Sequence, residues 1–172
     1  MLITRPQEQA AGLAQAVTEA GGIPIVFPTL AIIEPPDAQP LDEALARLDE
    51  FDLAIFVSPT AASRGMAAIR SRRTLPPNLR VAAVGAGSAR TLARLGVADV
   101  IVPEQGTDSE ALLATAPLTA VRGKRIVIFR GVGGRELLAD TLRTRGAAVT
   151  CVACYQRTRP QAETSALLAG LA

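Results

Sequence analysis

Histidine and tryptophan are absent from this 172-residue chain, tyrosine occurs once, and aromatics make up 3% of it. Lysine also occurs once, at Lys124, so 17 of the 18 basic residues are arginine. With no histidine, one lysine and two cysteines, the chain lacks the parts for most metal, Schiff-base and Ser-His chemistry. A formal charge of +2 is too small to argue for a nucleic-acid partner. No apolar run reaches the ~18 residues that a membrane-spanning helix needs. The opening Met1-Leu2-Ile3-Thr4-Arg5-Pro6 has no signal-peptide hydrophobic stretch. A cytoplasmic protein is expected, with neither membrane nor nucleic acid as partner.

What is present is aliphatic. Hydrophobic residues make up 49% of the chain. With so few aromatics the core must be Ala, Leu, Val and Ile, as suits helices packed on parallel strands. Four apolar runs end in small, hydroxylated or basic residues and then turn into helix. They are Leu2-Ile3 before Thr4-Arg5-Pro6, Leu53–Val57 before Ser58-Pro59, Val81–Val84 before Gly85-Ala86-Gly87-Ser88, and Ile126–Phe129 before Arg130-Gly131-Val132-Gly133-Gly134-Arg135. Helices that stop at glycine lead back into strands at Gly21-Gly22, Gly96 and Gly146. The alternation implies a parallel α/β sheet with right-handed crossovers. Ligands of such sheets bind at the carboxyl ends of the strands.

Helix starts carry their own signals. Pro6 and Pro59 suit a first helical turn. Thr4–Gln7 and Thr107–Glu110 both have capping-box spacing. Ala10, Leu13, Val17 and Ala20 share one helical face, as do Leu138, Leu142 and the stem of Arg145. Glu110, Glu136 and Asp140 are expected on solvated helix faces. Arg70, Arg72, Arg73 and Arg80 lie in a proline-rich stretch without interleaved aromatics, which favours a solvated loop over a base-stacking surface. Cys151 and Cys154 fall on a strand-like segment, where residues three apart point to opposite faces. Buried, reduced thiols are therefore expected rather than a disulfide or a zinc site.

Two segments break the rhythm, Ile32–Pro40 and Tyr155–Pro160. Both end at proline and read as connectors between two lobes. The part from about 41 to 153 holds three strand–helix units and a closing strand. The remainder supplies only β-α-β and part of a helix, the latter within 161–172. A nucleotide-binding domain is a rival for Gly85-Ala86-Gly87-Ser88-Ala89-Arg90, but Arg90 stands at the third glycine position. Residues Gly131–Arg135 lack the Gly-Lys-Ser/Thr of a P-loop.

Five segments in register resemble the uroporphyrinogen-III synthase family. They are Ile3-Thr4-Arg5-Pro6 with its following helix, Phe56-Val57-Ser58-Pro59, Val84–Ala89 with Leu92, Arg130–Leu138 with Leu142 and Gly146, and Tyr155-Gln156-Arg157. The resemblance runs from residue 1 to about 160. It implies an α/β fold of two flavodoxin-like parallel-sheet lobes joined by a two-strand connector. Lobe 2, residues 35–154, would be inserted into lobe 1, residues 1–34 and 155–172. The family's chain continues beyond Pro160, so lobe 1 is expected to be incomplete here. Its open sheet edge would favour self-association, although the family is monomeric.

The implied substrate is hydroxymethylbilane, a linear tetrapyrrole bearing many carboxylates. The implied reaction loses water, inverts ring D and closes uroporphyrinogen III without metal or organic cofactor. The enzyme that makes the bilane is a possible protein partner. By this resemblance Tyr155 is the candidate catalytic residue. A phenol is protonated at neutral pH and can give its proton to the departing hydroxyl; the competing role is packing of a linker strand. Thr4, Arg5, Ser58, Ser88, Arg130, Gly133 and Arg135 are the candidate substrate contacts. Amides at helix starts after Thr4, Ser58, Ser88 and Gly133 would hold carboxylates, and the arginines would pair with them. Helix capping by the serines and surface ion pairing by the arginines are the competing roles. A non-catalytic tetrapyrrole-binding or regulatory relative with a shortened first lobe is the alternative to the enzyme.

Overall fold

The computed structural model describes residues 1–160. In chain order it has β1 (Leu2–Ile3), α1 (Gln7–Glu19), β2 (Ile25–Val26), β3 (Ala31–Ile33), α2 (Gln39–Ala46), β4 (Leu53–Phe56), α3 (Pro59–Arg70) and β5 (Arg80–Ala83). These are followed by α4 (Ala86–Arg94), β6 (Val100–Ile101), α5 (Ser109–Leu113), α6 (Ala116–Thr119), β7 (Arg125–Gly131), α7 (Leu137–Thr144) and β8 (Ala148–Thr158). The result is an α/β fold with mostly parallel pairing. Two compact units divide it, one made of Met1–Ile33 with the chain from Gln156 onward, the other of Glu34–Tyr155. The helical segment expected within 161–172 lies outside the described residues.

In the larger unit five parallel strands lie in the order β8-β7-β4-β5-β6. Numbered along this unit, the order reads 5-4-1-2-3. That is a Rossmann-type arrangement and not the expected flavodoxin order, whose reversal comes one strand earlier. Here β6 adds outside β5, and the chain crosses back only through α5 and α6 to reach β7 beside β4. Alternation of strands and helices does not encode this choice. Four strand–helix units, not three, precede the closing strand, because α5 and α6 are too short to stand out in sequence.

The central strands are buried on both faces. Leu53–Phe56 are all buried, as are Ile126–Phe129. Leu53, Ile55, Ile126 and Ile128 join a cluster with Leu112, Leu113, Leu118, Leu138 and Leu142 of the helices. The alternate residues Phe56 and Phe129 face the other way and stack at 4.7 Å. Gly65 of α3 lies against both rings, so close that an added Cβ would stand 2.9 Å from Phe56. Gly146 closes α7 with φ of +87°, a conformation that favours glycine.

In the smaller unit β1 and β2 form a two-stranded parallel pair, and β3 pairs antiparallel with the end of β8 through Ile32 and Arg157. Helix α1 buries only Ala10, while Leu13 and Val17 are half-buried and Ala20 is exposed. The expected capping box at Thr4 does not form, for α1 starts after Pro6 without a side-chain cap. Thr4 instead extends the strand pairing, its carbonyl accepting from the backbone of Thr29 at 3.2 Å. At α5 the cap is Asp108 rather than Thr107, its carboxylate accepting from the Ala111 N–H at 2.8 Å.

The arginine cluster is not a free loop. Arg72 pairs with Asp42 at 2.8 Å and Arg73 with Asp49 at 2.6 Å, while Arg70 donates to the carbonyl of Leu95. The hydrogen bond from Arg73 holds the Asp49 carboxyl below its ordinary range. Both cysteines are unbridged, with Cys154 buried and Cys151 only half-buried. Burial pushes the Cys154 thiol up to about 12. Among the described residues, no helix is long and apolar enough to cross a membrane.

Candidate functional site at the strand reversal

Sheet order reverses between β4 and β7, which run side by side with Phe56 opposite Phe129. The carboxyl ends of strands at such a reversal are where open α/β sheets commonly hold ligands. After β4 the chain stays extended through Ser58, whose Oγ accepts from the Ala61 N–H at 3.0 Å and caps α3. After β7 the ladder to β8 slips between Arg130 and Gly131, and Gly131 comes opposite Tyr155. Val132 N–H donates to the Tyr155 carbonyl at 3.0 Å, which fixes the bulged segment.

The Tyr155 ring crosses directly over Gly131 and is 3% exposed. Its hydroxyl lies 3.3 Å from Ser58 Oγ. Thus Ser58 and Tyr155, 97 positions apart in sequence, meet at the end of the sheet. The start of α4 adjoins the same place, where a Cβ on Gly87 would lie 3.4 Å from Pro59. Two helix N-termini, with their positive ends, therefore start side by side, that of α3 being capped by Ser58.

The other candidates are placed differently. Arg130 is largely buried and donates to Glu136 at 2.6 Å, which holds the Glu136 carboxyl below its ordinary value. Arg135 is exposed and pairs with Glu110 at 2.8 Å. Both arginines thus have carboxylate partners within the chain. Asp140 is paired as well, with Arg143 at 3.0 Å.

Ser88 is not a helix start. It lies inside α4, is 3% exposed, and donates its N–H to Gly85 at 3.1 Å, because α4 begins two residues earlier at Ala86. Gly133 is likewise no helix start. It sits in a turn with φ of +72°, and α7 begins only at Leu137. Thr4 and Arg5 are exposed on the smaller unit.

Gly131 escaped the sequence reading. The signal was a glycine at the end of a buried strand, but its meaning depends on the bulge that sets it against Tyr155.

A family model described as uroporphyrinogen-III synthase HemD matches residues 11–172. The uroporphyrinogen-III synthase of Salmonella typhimurium is 36% identical over 158 residues, covering 91% of this chain and 64% of that protein. The enzyme of Proteus mirabilis is 34% identical, covering 91% of this chain and 79% of that protein. The chain thus spans about two-thirds of the length of the Salmonella relative. A solved mutant uroporphyrinogen III synthase from Thermus thermophilus has the same fold, with a TM-score of 0.63 at 20% identity over 92% of this chain and 63% of that one.

Proposed function

The chain belongs to the uroporphyrinogen-III synthase family, and from that premise we propose that it cyclises hydroxymethylbilane to uroporphyrinogen III with loss of water and inversion of ring D. The observation that carries this reading is the meeting of Tyr155 and Ser58 at the strand reversal, beside the start of α3. A flexible polyanion needs donors arranged around it. The opening of α4 supplies backbone amides, and the starts of α3 and α4 supply positive helix ends. Charge-assisted hydrogen bonds contribute about 1.5–3 kcal/mol each, and orienting the reacting ends can remove ~7–11 kcal/mol of barrier. Positioning therefore outweighs acid–base chemistry in this account.

Tyr155 is the catalytic residue in this scheme. As the C–O bond of the hydroxymethyl group breaks, the electron pair leaves on oxygen, and the phenol proton converts it to water. The proton lost from the pyrrole carbon at ring closure returns to the phenolate. Ser58 serves Tyr155 and caps α3, while Arg130 and the amides near Gly133 form the adjacent carboxylate-binding edge, with Arg130 exchanging Glu136 for a substrate carboxylate. Arg135 does the same from Glu110. Ser88 contributes by anchoring α4. Thr4 and Arg5, exposed on the smaller unit, are further candidate carboxylate contacts.

We read the two units as two lobes, the larger inserted into the smaller along the chain and carrying Tyr155 at its end. We read the protein as acting in the cytoplasm and taking its substrate from the bilane-forming enzyme.

The test is turnover. The purified chain is mixed with fresh hydroxymethylbilane, and the products are oxidised and separated by isomer. An excess of isomer III supports the proposal. Isomer I alone, formed by closure without ring inversion, would refute it, as would binding of the bilane without conversion.

A further inference from the structure

We infer that Ser58 and Gly131 are positioning residues for Tyr155: Ser58 sets the direction of its hydrogen bond, and Gly131 makes room for its ring. This deepens the reading of Tyr155 as the proton donor and rests on it.

The Ser58 hydroxyl has one proton and two lone pairs. Ala61 N–H occupies one lone pair at 3.0 Å. That donor lies in the first turn of the 12-residue α3, where the field is positive. An oxygen that accepts from such a group becomes a better donor, since hydrogen bonds in a chain polarise one another. The order is therefore Ala61 N–H to Ser58 Oγ, and Ser58 O–H to the Tyr155 oxygen at 3.3 Å. With its oxygen accepting from Ser58, Tyr155 directs its own proton away from Ser58. Once that proton is given up, the same chain of donors faces the phenolate. The 3.3 Å separation is long for O–H···O, and it shortens as charge develops on the acceptor.

Gly131 acts by what it lacks. A Cβ there would stand 2.7 Å from Tyr155 Cζ, 2.8 Å from Cε2 and 3.1 Å from the hydroxyl oxygen. Its φ is not among the positive ones, so backbone conformation does not demand glycine at this position. The ring does. The ladder slip between Arg130 and Gly131 delivers this residue to the face of Tyr155.

Tyr155 is the one tyrosine, and there is no tryptophan, so its spectrum is read without overlap. The Raman doublet of tyrosine reports whether a phenol accepts or donates. We expect Ser58→Ala to move the doublet away from the accepting form and Ser58→Thr, which keeps a hydroxyl, to restore it. In turnover, Ser58→Ala should lower kcat about tenfold, the worth of one such bond, with KM little changed. Gly131→Ala, which displaces the ring, should lower kcat about a hundredfold. A Ser58→Ala doublet identical to the parent would overturn the inference, and so would a raised KM at unchanged kcat, which marks a plain substrate contact. A doublet that shifts with Ser58→Ala and recovers with Ser58→Thr supports the positioning role even if no bilane is converted. In that case it is the proposed activity that fails.

Discussion

The two units of this chain follow different rules. In Glu34–Tyr155, β4 and β7 are covered on both faces, and side chains such as Ile55, Phe56, Ile126 and Phe129 have no exposed surface. In Met1–Ile33 the strands are two or three residues long, α1 buries a single alanine, and Met1, Leu2, Ile23 and Ile33 are exposed. Burial stabilises at about 25 cal/mol per Å² of apolar surface, so among the described residues the stabilising burial is concentrated in the larger unit. A two-stranded pair of two-residue strands packed on one helix gains little by itself. The candidate site lies in the larger, better-buried unit. Ser58 follows the fully buried β4, Gly131 ends β7, and Tyr155 is a buried residue of β8.

The sharpest way to break this contrast is to cut one large apolar side chain in each unit. Phe129→Ala removes half of the stacked pair and should cost about 3–5 kcal/mol, seen as a large fall in urea midpoint. Ile25→Ala in half-buried β2 should cost less than about 1 kcal/mol by the same measurement. Equal losses would mean that the smaller unit carries as much packing energy as the larger.

A smaller effect tests burial at β8. The Cys154 thiol is pushed by burial from an ordinary value of 9.0 up to about 12. In the unfolded chain the thiol ionises first. The folded state is therefore fully favoured below pH 9, and this contribution is lost as pH rises toward 12. Cys154→Ala should flatten the alkaline fall in melting temperature within that window. A fall unchanged in the variant would assign the loss to other groups. Cys151, also raised chiefly by burial but only half-buried, should react with thiol reagents before Cys154.

Much of the larger unit was legible in the sequence because burial on both faces writes itself as continuous apolar runs. Leu53–Phe56 and Ile126–Phe129 could hardly be anything else. The serine-proline start of α3 and the glycine ends of helices were equally plain, since each rests on a local rule. Strand order was not legible, because whether β6 continues outward or returns is decided by packing of the short α5 and α6. Helix starts at Thr4, Ser88, Gly133 and Thr107 were misplaced by one to four residues, because hydroxyl spacing competes with continued strand pairing and turns. Ion pairs such as Arg72–Asp42 and Arg130–Glu136 depend on tertiary reach that composition does not record. In the site, Ser58 and Tyr155 were named separately in the sequence. Their contact, and the need for Gly131 beneath the ring, required the fold.

The most direct measurement is the rate of bilane cyclisation by Tyr155→Phe beside the parent chain, with folding of both confirmed by the same urea midpoint. Loss of the phenol proton should slow formation of isomer III by about 10²–10⁴-fold while leaving KM nearly unchanged. A variant that closes the ring at close to the parent rate would contradict the account and leave Tyr155 as a packing residue.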